Sequence, residues 1–300
     1  MKDLKILCVG KEQSSYEEWG VSPVLDLNEK GLDGIVYTIP NYQQVDVALV
    51  RSLLEKDIPV FILKMRVENP HDVNSISESL ALKPGSKLYV GDQYQLQPGA
   101  LAVSEALKRE MCGKIEYISW RTVLTLKERA LWMDNYRDLS LMDLCYHYFM
   151  TLYGYIGSFS GNIYAHSYAP SWLSDKGYFN MLLRTNKGVT VDMAVNWGAA
   201  DYKTTSYFGD CVIEGKNGRL WTDGDRAEFT GRSSRSIDTQ ILPVISNKAK
   251  SGWAVCVDNF CEHICNGTLD ELISFEQYCD VFALQYAALS SSQKNRSVEF

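Results

Sequence analysis

The run Pro59-Val60-Phe61-Ile62-Leu63 constrains this chain more than any other segment. Apolar residues in an unbroken row suit a strand covered on both faces, and such strands belong to parallel sheets. Parallel neighbours need crossover connections, and the flanking sequence supplies them. Lys5 to Val9 and Gly34 to Ile39 read as two more buried strands, with a helical turn or two over Ser15 to Gly20 between them. Gln44 to Lys56 reads as a helix with Val47, Val50, Leu53 and Leu54 on its apolar face. Asp72 to Leu80 follows as another helix and Lys87 to Val90 as a further strand. Strand–helix–strand alternation at this spacing predicts right-handed crossovers and a parallel α/β sheet.

Beyond Val90 the pattern changes. Gln97 to Met111 reads as a helix closed by Gly113, Lys114 to Leu126 as a strand, and Leu139 to Tyr155 as a largely apolar helix. From Tyr178 to Asp223 antiparallel strands take over. Val189, Val191, Met193, Val195 and Trp197 alternate with polar or small residues, which gives one buried sheet face. Tyr178 to Arg184 pairs with that strand through a turn at Asn186-Lys187-Gly188. Helices return at about Trp253 to Cys265 and Ser274 to Ser290. A chain of 300 residues is long enough for two cores. The reading is therefore a parallel-sheet domain over 1–90 and an α+β domain over 91–300, the latter with a large, mostly antiparallel sheet flanked by helices.

Net charge is −7 with the acidic residues dispersed, so no basic face offers itself to nucleic acid. The apolar stretch Ile6–Val9 is too short for a signal-peptide core, and no segment reaches the roughly 18 apolar residues of a membrane span. A cytoplasmic protein is expected. The eight cysteines include no CxxC pair and several sit in apolar runs, which suits reduced thiols. Cys256, Cys261, His263 and Cys265 form the tightest group, but their spacing is not that of a zinc site, so no metal is expected.

Two constellations carry chemistry. Lys64 follows directly on the strand ending at Leu63, and ligands of open parallel sheets bind beyond the carboxyl ends of strands. It either places an ammonium in that crevice or merely solvates a strand end. Asp143 and His147 are four residues apart in an apolar helix, so they share a face. They form either a satisfied buried pair or a general acid/base histidine oriented by a carboxylate.

Several segments together resemble the Gfo/Idh/MocA family of NAD(P)-dependent sugar and polyol oxidoreductases. Leu32-Asp33-Gly34-Ile35-Val36-Tyr37-Thr38-Ile39-Pro40-Asn41 is similar to its "DaVvvatPn" strand. Asp57 to Met65 is similar to its "GkhVlvEKP" strand, and Val90 to Tyr94 with Gly113-Lys114-Ile115 to the opening of its second domain. Asp143 and His147 fall on its D-x-x-x-H helix, and Glu214 to Leu220 on its late strand turn. The resemblance runs from about residue 5 to the end. It implies catalytic roles for Lys64, Asp143 and His147, with the lysine and histidine on the reacting hydroxyl or carbonyl. It implies cofactor contacts from Thr38, Pro40, Asn41 and Lys64, NAD or NADP as cofactor, and a sugar or polyol as substrate. It also implies a homo-oligomer joined through the second domain's sheet, where Trp197, Tyr202, Tyr207 and Phe208 are candidate surface aromatics.

The departures centre on the amino terminus. The family opens with a strand, a G-x-G-x-x-G turn and a helix whose amino end binds pyrophosphate. Val9-Gly10-Lys11 offers one glycine and no acidic residue for an adenosine ribose. The stretch from Leu4 to Asp33 is too short for a complete half-domain, so the expectation is a shortened Rossmann-like domain. In that register Leu4 to Val9 stands as the family's second strand, and the first strand is missing. Leu63 and Met65 stand where the family has Glu and Pro, Gln44 for a usual histidine, and Met150 for an acidic residue. Three readings follow: an NAD(P)-using oxidoreductase; a cofactor-free descendant that binds sugars, regulates, or moves protons as a lyase or epimerase; or an interaction subunit.

Overall fold

The computed structural model describes the chain apart from residues 1–3, 12–15, 18–20, 22, 40–42, 84, 126–132, 135, 174–175, 200–203, 233–236, 245–251 and 268–271. In chain order the elements are β1 (Ile6–Val9), β2 (Pro23–Val24), β3 (Gly34–Thr38), α1 (Val47–Leu54), β4 (Val60–Leu63), α2 (Pro70–Ala81), β5 (Leu88–Gly91) and α3 (Pro98–Lys108). There follow β6 (Ile115–Val123), a π-helical turn (Ser140–Leu144), α4 (Cys145–Ile156), β7 (Gly161–Tyr168), β8 (Tyr178–Thr185) and β9 (Thr190–Asn196). The chain closes with β10 (Asp210–Gly215), β11 (Gly218–Thr222), β12 (Ala227–Arg232), β13 (Ile237–Ile241), α5 (Gly252–Asn266), β14 (Ile273–Ser274), α6 (Phe275–Lys294) and β15 (Val298–Glu299).

Two compact units result, one of Met1–Leu96 with Lys248–Cys279, the other of Gln97–Asn247 with Asp280–Phe300. The sequence suggests a single boundary near residue 90. The chain instead returns to its first unit late, because β14 pairs antiparallel with β5 and α5 packs on β4.

The first unit holds a six-stranded sheet in the order β14-β5-β4-β3-β1-β2, parallel except for β14. The Val60–Leu63 run is buried throughout, as its unbroken apolar character requires. Phe61 stacks on Phe260 of α5 with ring centroids 5.0 Å apart, at the centre of a core that includes Ile6, Val36, Tyr89 and Val257. Local signals set the helix starts: the Asp46 side chain caps α1, and Asn69 caps α2 with Pro70 at its first position. Along the sheet the first five strands read 2-1-3-4-5, so the order reverses at β1. The expected register is corrected here. Ile6–Val9 pairs directly with Gly34–Tyr37, and therefore takes the switch-point place of a doubly wound sheet's first strand.

The second unit holds a nine-stranded sheet in the order β13-β12-β11-β10-β6-β9-β8-β7-β15. Among the described residues only β6 and β9 of this sheet pair in parallel. Val191, Met193 and Val195 of β9 are buried, as their alternation predicts. The β8–β9 hairpin closes where expected: Gly188 N–H donates to Thr185 O and Thr185 N–H to Val189 O, both at 2.9 Å, with Gly188 at a φ of 87°. Trp120 is fully buried beside the rings of Tyr148 and Phe208, and its indole N–H donates to Phe208 O at 2.7 Å. Trp197 and Phe208, candidates for the sheet surface, are core residues; Tyr207 is exposed, and Tyr202 lies outside the described residues. Among the described residues no helix is long and apolar enough to cross a membrane. The eight cysteines are free thiols, five of them buried.

Candidate active site

Lys64 is the first residue past β4, and its backbone adopts a φ of 52°. A side chain with a Cβ in this left-handed region costs about 1–2 kcal/mol. The surroundings hold it there. Lys64 N–H donates to Gly91 O at 3.1 Å on one side. On the other, the Tyr278 hydroxyl donates to Met65 O at 3.0 Å. Tyr278 is buried, which pushes its phenol far above the ordinary range and keeps it a donor. Met65 and Val67 are buried, and Arg66 between them is buried and paired with Glu68. The segment after β4 is thus fixed on both flanks, with the half-buried Lys64 side chain at the carboxyl end of the sheet.

Asp143 and His147 lie in the second unit and are both buried. The expected single α-helix over 139–155 is corrected: Ser140–Leu144 is a π-helical turn that carries Asp143, and α4 begins at Cys145 and carries His147. A π turn widens the backbone locally and recurs at functional sites. Its amino end is pinned by side chains. Ser140 N–H and hydroxyl both donate to Lys176 O, at 3.1 and 2.7 Å. Asp138 Oδ1 accepts from Leu141 N–H at 3.3 Å. Gln285 Nε2 donates to Leu141 O at 3.0 Å. Burial pushes the Asp138 carboxyl above its ordinary value, against the opposing pull of the Ser167 hydroxyl and the Lys176 ammonium, whose nitrogen is 3.8 Å from the carboxylate. The His147 ring meets Tyr146 edge-on at 5.4 Å. No periodicity announces the π turn, and only the polar Asp138 and Ser140 ahead of an apolar run hint at it.

The switch point lies between β1 and β3. Thr38 ends β3 and is buried. Pro40 and Asn41, expected to touch a cofactor, lie outside the described residues. Gly10 follows β1 with a φ of 97°, and a Cβ there would fall 1.9 Å from Thr38 O, so only glycine fits this turn. Asp26 stands two residues past β2, exposed, with Oδ1 accepting from Asn28 N–H at 2.8 Å. With β1 at the switch point, Asp26 takes the position from which a doubly wound domain holds an adenosine ribose. The sequence reading misses it because its register sets β1 one strand over. In kind, these residues fit a dinucleotide: a turn glycine, a strand-end hydroxyl, a ribose carboxylate and Lys64. Beyond the ends of β1 and β3 lies Tyr16, whose hydroxyl donates to Val9 O at 2.6 Å. In the cysteine group, the His263 ring bonds the Tyr89 hydroxyl through Nε2 at 2.9 Å. Among the described residues no cluster of three His, Cys, Asp or Glu side chains could hold a metal.

No protein-family model matches the sequence, and no curated protein does. Solved structures do. An oxidoreductase domain protein from Kribbella flavida superposes with a TM-score of 0.82 at 12% identity, covering 100% of this chain and 99% of its own. An oxidoreductase from Agrobacterium radiobacter, crystallised with NAD+, L-tartaric acid and magnesium, gives 0.79 at 15% identity over 99% and 98% of the two chains. An aldose-aldose oxidoreductase from Caulobacter crescentus, complexed with glycerol, gives 0.74 at 13% identity over 99% and 91%. The chain therefore has the fold of these oxidoreductases, a Rossmann-like parallel-sheet unit followed by a large, mostly antiparallel sheet with helices.

Proposed function

We propose that the chain is an oxidoreductase of the Gfo/Idh/MocA type that acts on a hydroxyl or carbonyl of a sugar or polyol, with NAD or NADP as redox partner. The observation that carries this reading is Lys64, held in a left-handed conformation at the carboxyl end of β4 by Gly91 and Tyr278. Strain kept in place by surrounding structure supports a functional role where, as at Lys64, the residue also stands at the carboxyl end of a parallel sheet. Lys64 holds the reacting oxygen by its ammonium, and His147 takes or returns the hydroxyl proton. Asp143 sets the orientation of that imidazole. Gly10, Thr38 and Asp26 would hold the nucleotide at the switch point, with Pro40 and Asn41 at the end of β3; when bound, it supplies hydride exchange. The test is titration with NADH and NADPH, followed by tryptophan fluorescence, with a panel of sugars and polyols added. No saturation at millimolar nucleotide, by the wild type or by a variant opened at residue 16, overturns the cofactor reading.

A second reading is favoured by Tyr16 and by the single glycine after β1: a cofactor-free sugar-binding protein, lyase or epimerase. Proton abstraction beside a carbonyl needs a base and an electrophile, and His147 and Lys64 supply both types. Thermal stabilisation by a sugar or sugar acid without nucleotide separates this reading from the first. We also propose a cytoplasmic homo-oligomer. Tyr164 and Leu182 are exposed on one face of β7 and β8, with Trp172 exposed nearby in sequence, and light scattering tests whether such a surface pairs.

A further inference from the structure

The geometry points to Tyr16 as the chain's own occupant of the pyrophosphate position, so that a dinucleotide enters the switch point only by displacing it. This deepens the cofactor reading above and rests on it. Ligands of doubly wound sheets lie outside the carboxyl ends of the strands where the order reverses, here β1 and β3. Those strands end at Val9 and Thr38. The Tyr16 hydroxyl donates to Val9 O at 2.6 Å and lies 3.3 Å from Thr38 Oγ1, so one phenol ties both strand ends together. Its side chain has no exposure to solvent. Beneath it the gap between the strands is already closed, since Gly10 packs so tightly on Thr38 O that no Cβ would fit.

A pyrophosphate binds at such a place through free backbone N–H groups and close backbone approach, which the second glycine of a G-x-G-x-x-G turn permits. Counting from Gly10, Glu12 and Ser15 stand at the second and third glycine positions of that pattern. Only the glycine that makes the tight turn remains, and here it serves the contact with β3. The phenol stays protonated at neutral pH, because burial raises its pKa to about 12. It therefore closes the site as a neutral donor, by filling space and by holding the strand ends.

The experiment measures NADH binding to the full chain as wild type, Tyr16→Phe and Tyr16→Gly. Tyr16→Phe keeps the ring and loses the hydroxyl's hydrogen bonds, whereas Tyr16→Gly also removes the ring. Affinity should rise along that series, by about tenfold or more from wild type to Tyr16→Gly, the scale set by loss of two neutral hydrogen bonds. A second readout uses the wild type alone. Nitration of Tyr16 by tetranitromethane, followed by mass spectrometry, should be slow without nucleotide and at least about tenfold faster with NADH, a change of about 1.4 kcal/mol in opening. Equal, saturable NADH binding by all three proteins, or saturation of the wild type with Tyr16 still protected, overturns the inference and leaves the cofactor reading standing. Absence of binding in all three overturns both.

Discussion

Replacing Lys64 by glycine sets two effects against each other, and the structure says which wins. The left-handed backbone of residue 64 costs about 1–2 kcal/mol for any residue with a Cβ. Glycine removes that cost but gives back about 0.5–1 kcal/mol through the greater freedom of the unfolded chain. The hydrogen bond from the residue 64 amide to Gly91 O involves no side chain and survives. Lys64→Gly should therefore stabilise the first unit by about 0.5–1 kcal/mol relative to Lys64→Ala, which keeps the strain. Amide hydrogen exchange reads this where it occurs. The protected amides of β4 and β5 should exchange about two- to fivefold more slowly in the glycine variant than in the alanine variant. Both variants should lose turnover, since both lack the ammonium. A glycine variant less stable than the alanine variant would refute the claim that strain is stored at this residue.

The remaining expectations are briefer. Tyr278→Phe strands the Met65 carbonyl in a buried setting and should cost about 1–3 kcal/mol, read as a lower urea midpoint or faster exchange at residues 64–67. Gly10→Ala places a methyl on Thr38 O in a conformation that already disfavours a side chain, so β1 and β3 must shift; loss of protection in both strands reports it. Asp138→Asn tests the buried carboxylate. Its pKa is raised on folding, so its contribution is fully present below the unfolded value and is lost as pH rises through the folded one. The asparagine variant should gain on the wild type in chemical denaturation at neutral pH, and the gap should close in acid. His147→Gln should lower turnover by about two to four orders of magnitude with folding intact, the usual range for a positioned acid/base group.

Much of this architecture is legible because burial and period coincide. The unbroken apolar run at Val60–Leu63, bounded by Pro59 and rich in branched residues, suits a strand covered on both faces, and the alternation through Val191, Met193 and Val195 suits a sheet with one face buried. The candidate positions are legible to the extent that they are local: Lys64 follows a strand, and Asp143 and His147 share a helical segment. What escapes the sequence is set by long-range contacts. The π turn depends on Lys176 O and Gln285 reaching back to Ser140 and Leu141. Asp26 becomes a ribose candidate only when β1 is seen beside β3, and β2 is two residues long, too short to read as a strand. The return of Lys248–Cys279 to the first unit rests on contacts distant in sequence, the pairing of β14 with β5 and the packing of Phe260 on Phe61.

Lys64 and Tyr16, two first-unit residues in the proposals above, differ in what they do to the stability of the fold. Lys64 carries backbone strain, which costs stability that glycine at the same place would not. Net stabilities of whole domains are only about 5–15 kcal/mol, so a few such features are a sizeable fraction. At the switch point the opposite holds. Tyr16 satisfies the Val9 carbonyl, fills the space beyond the strand ends and adds buried aromatic surface, all of which stabilise the first unit with no ligand present. Within the first unit, the residue proposed to meet substrate is thus held at a cost to the fold, and the residue at the ends of β1 and β3 in its favour. A cofactor that binds here must supply more than the interactions Tyr16 already makes, which is why the ordering of NADH affinity across the Tyr16 series discriminates between a gated oxidoreductase and a protein that moves protons without a nucleotide.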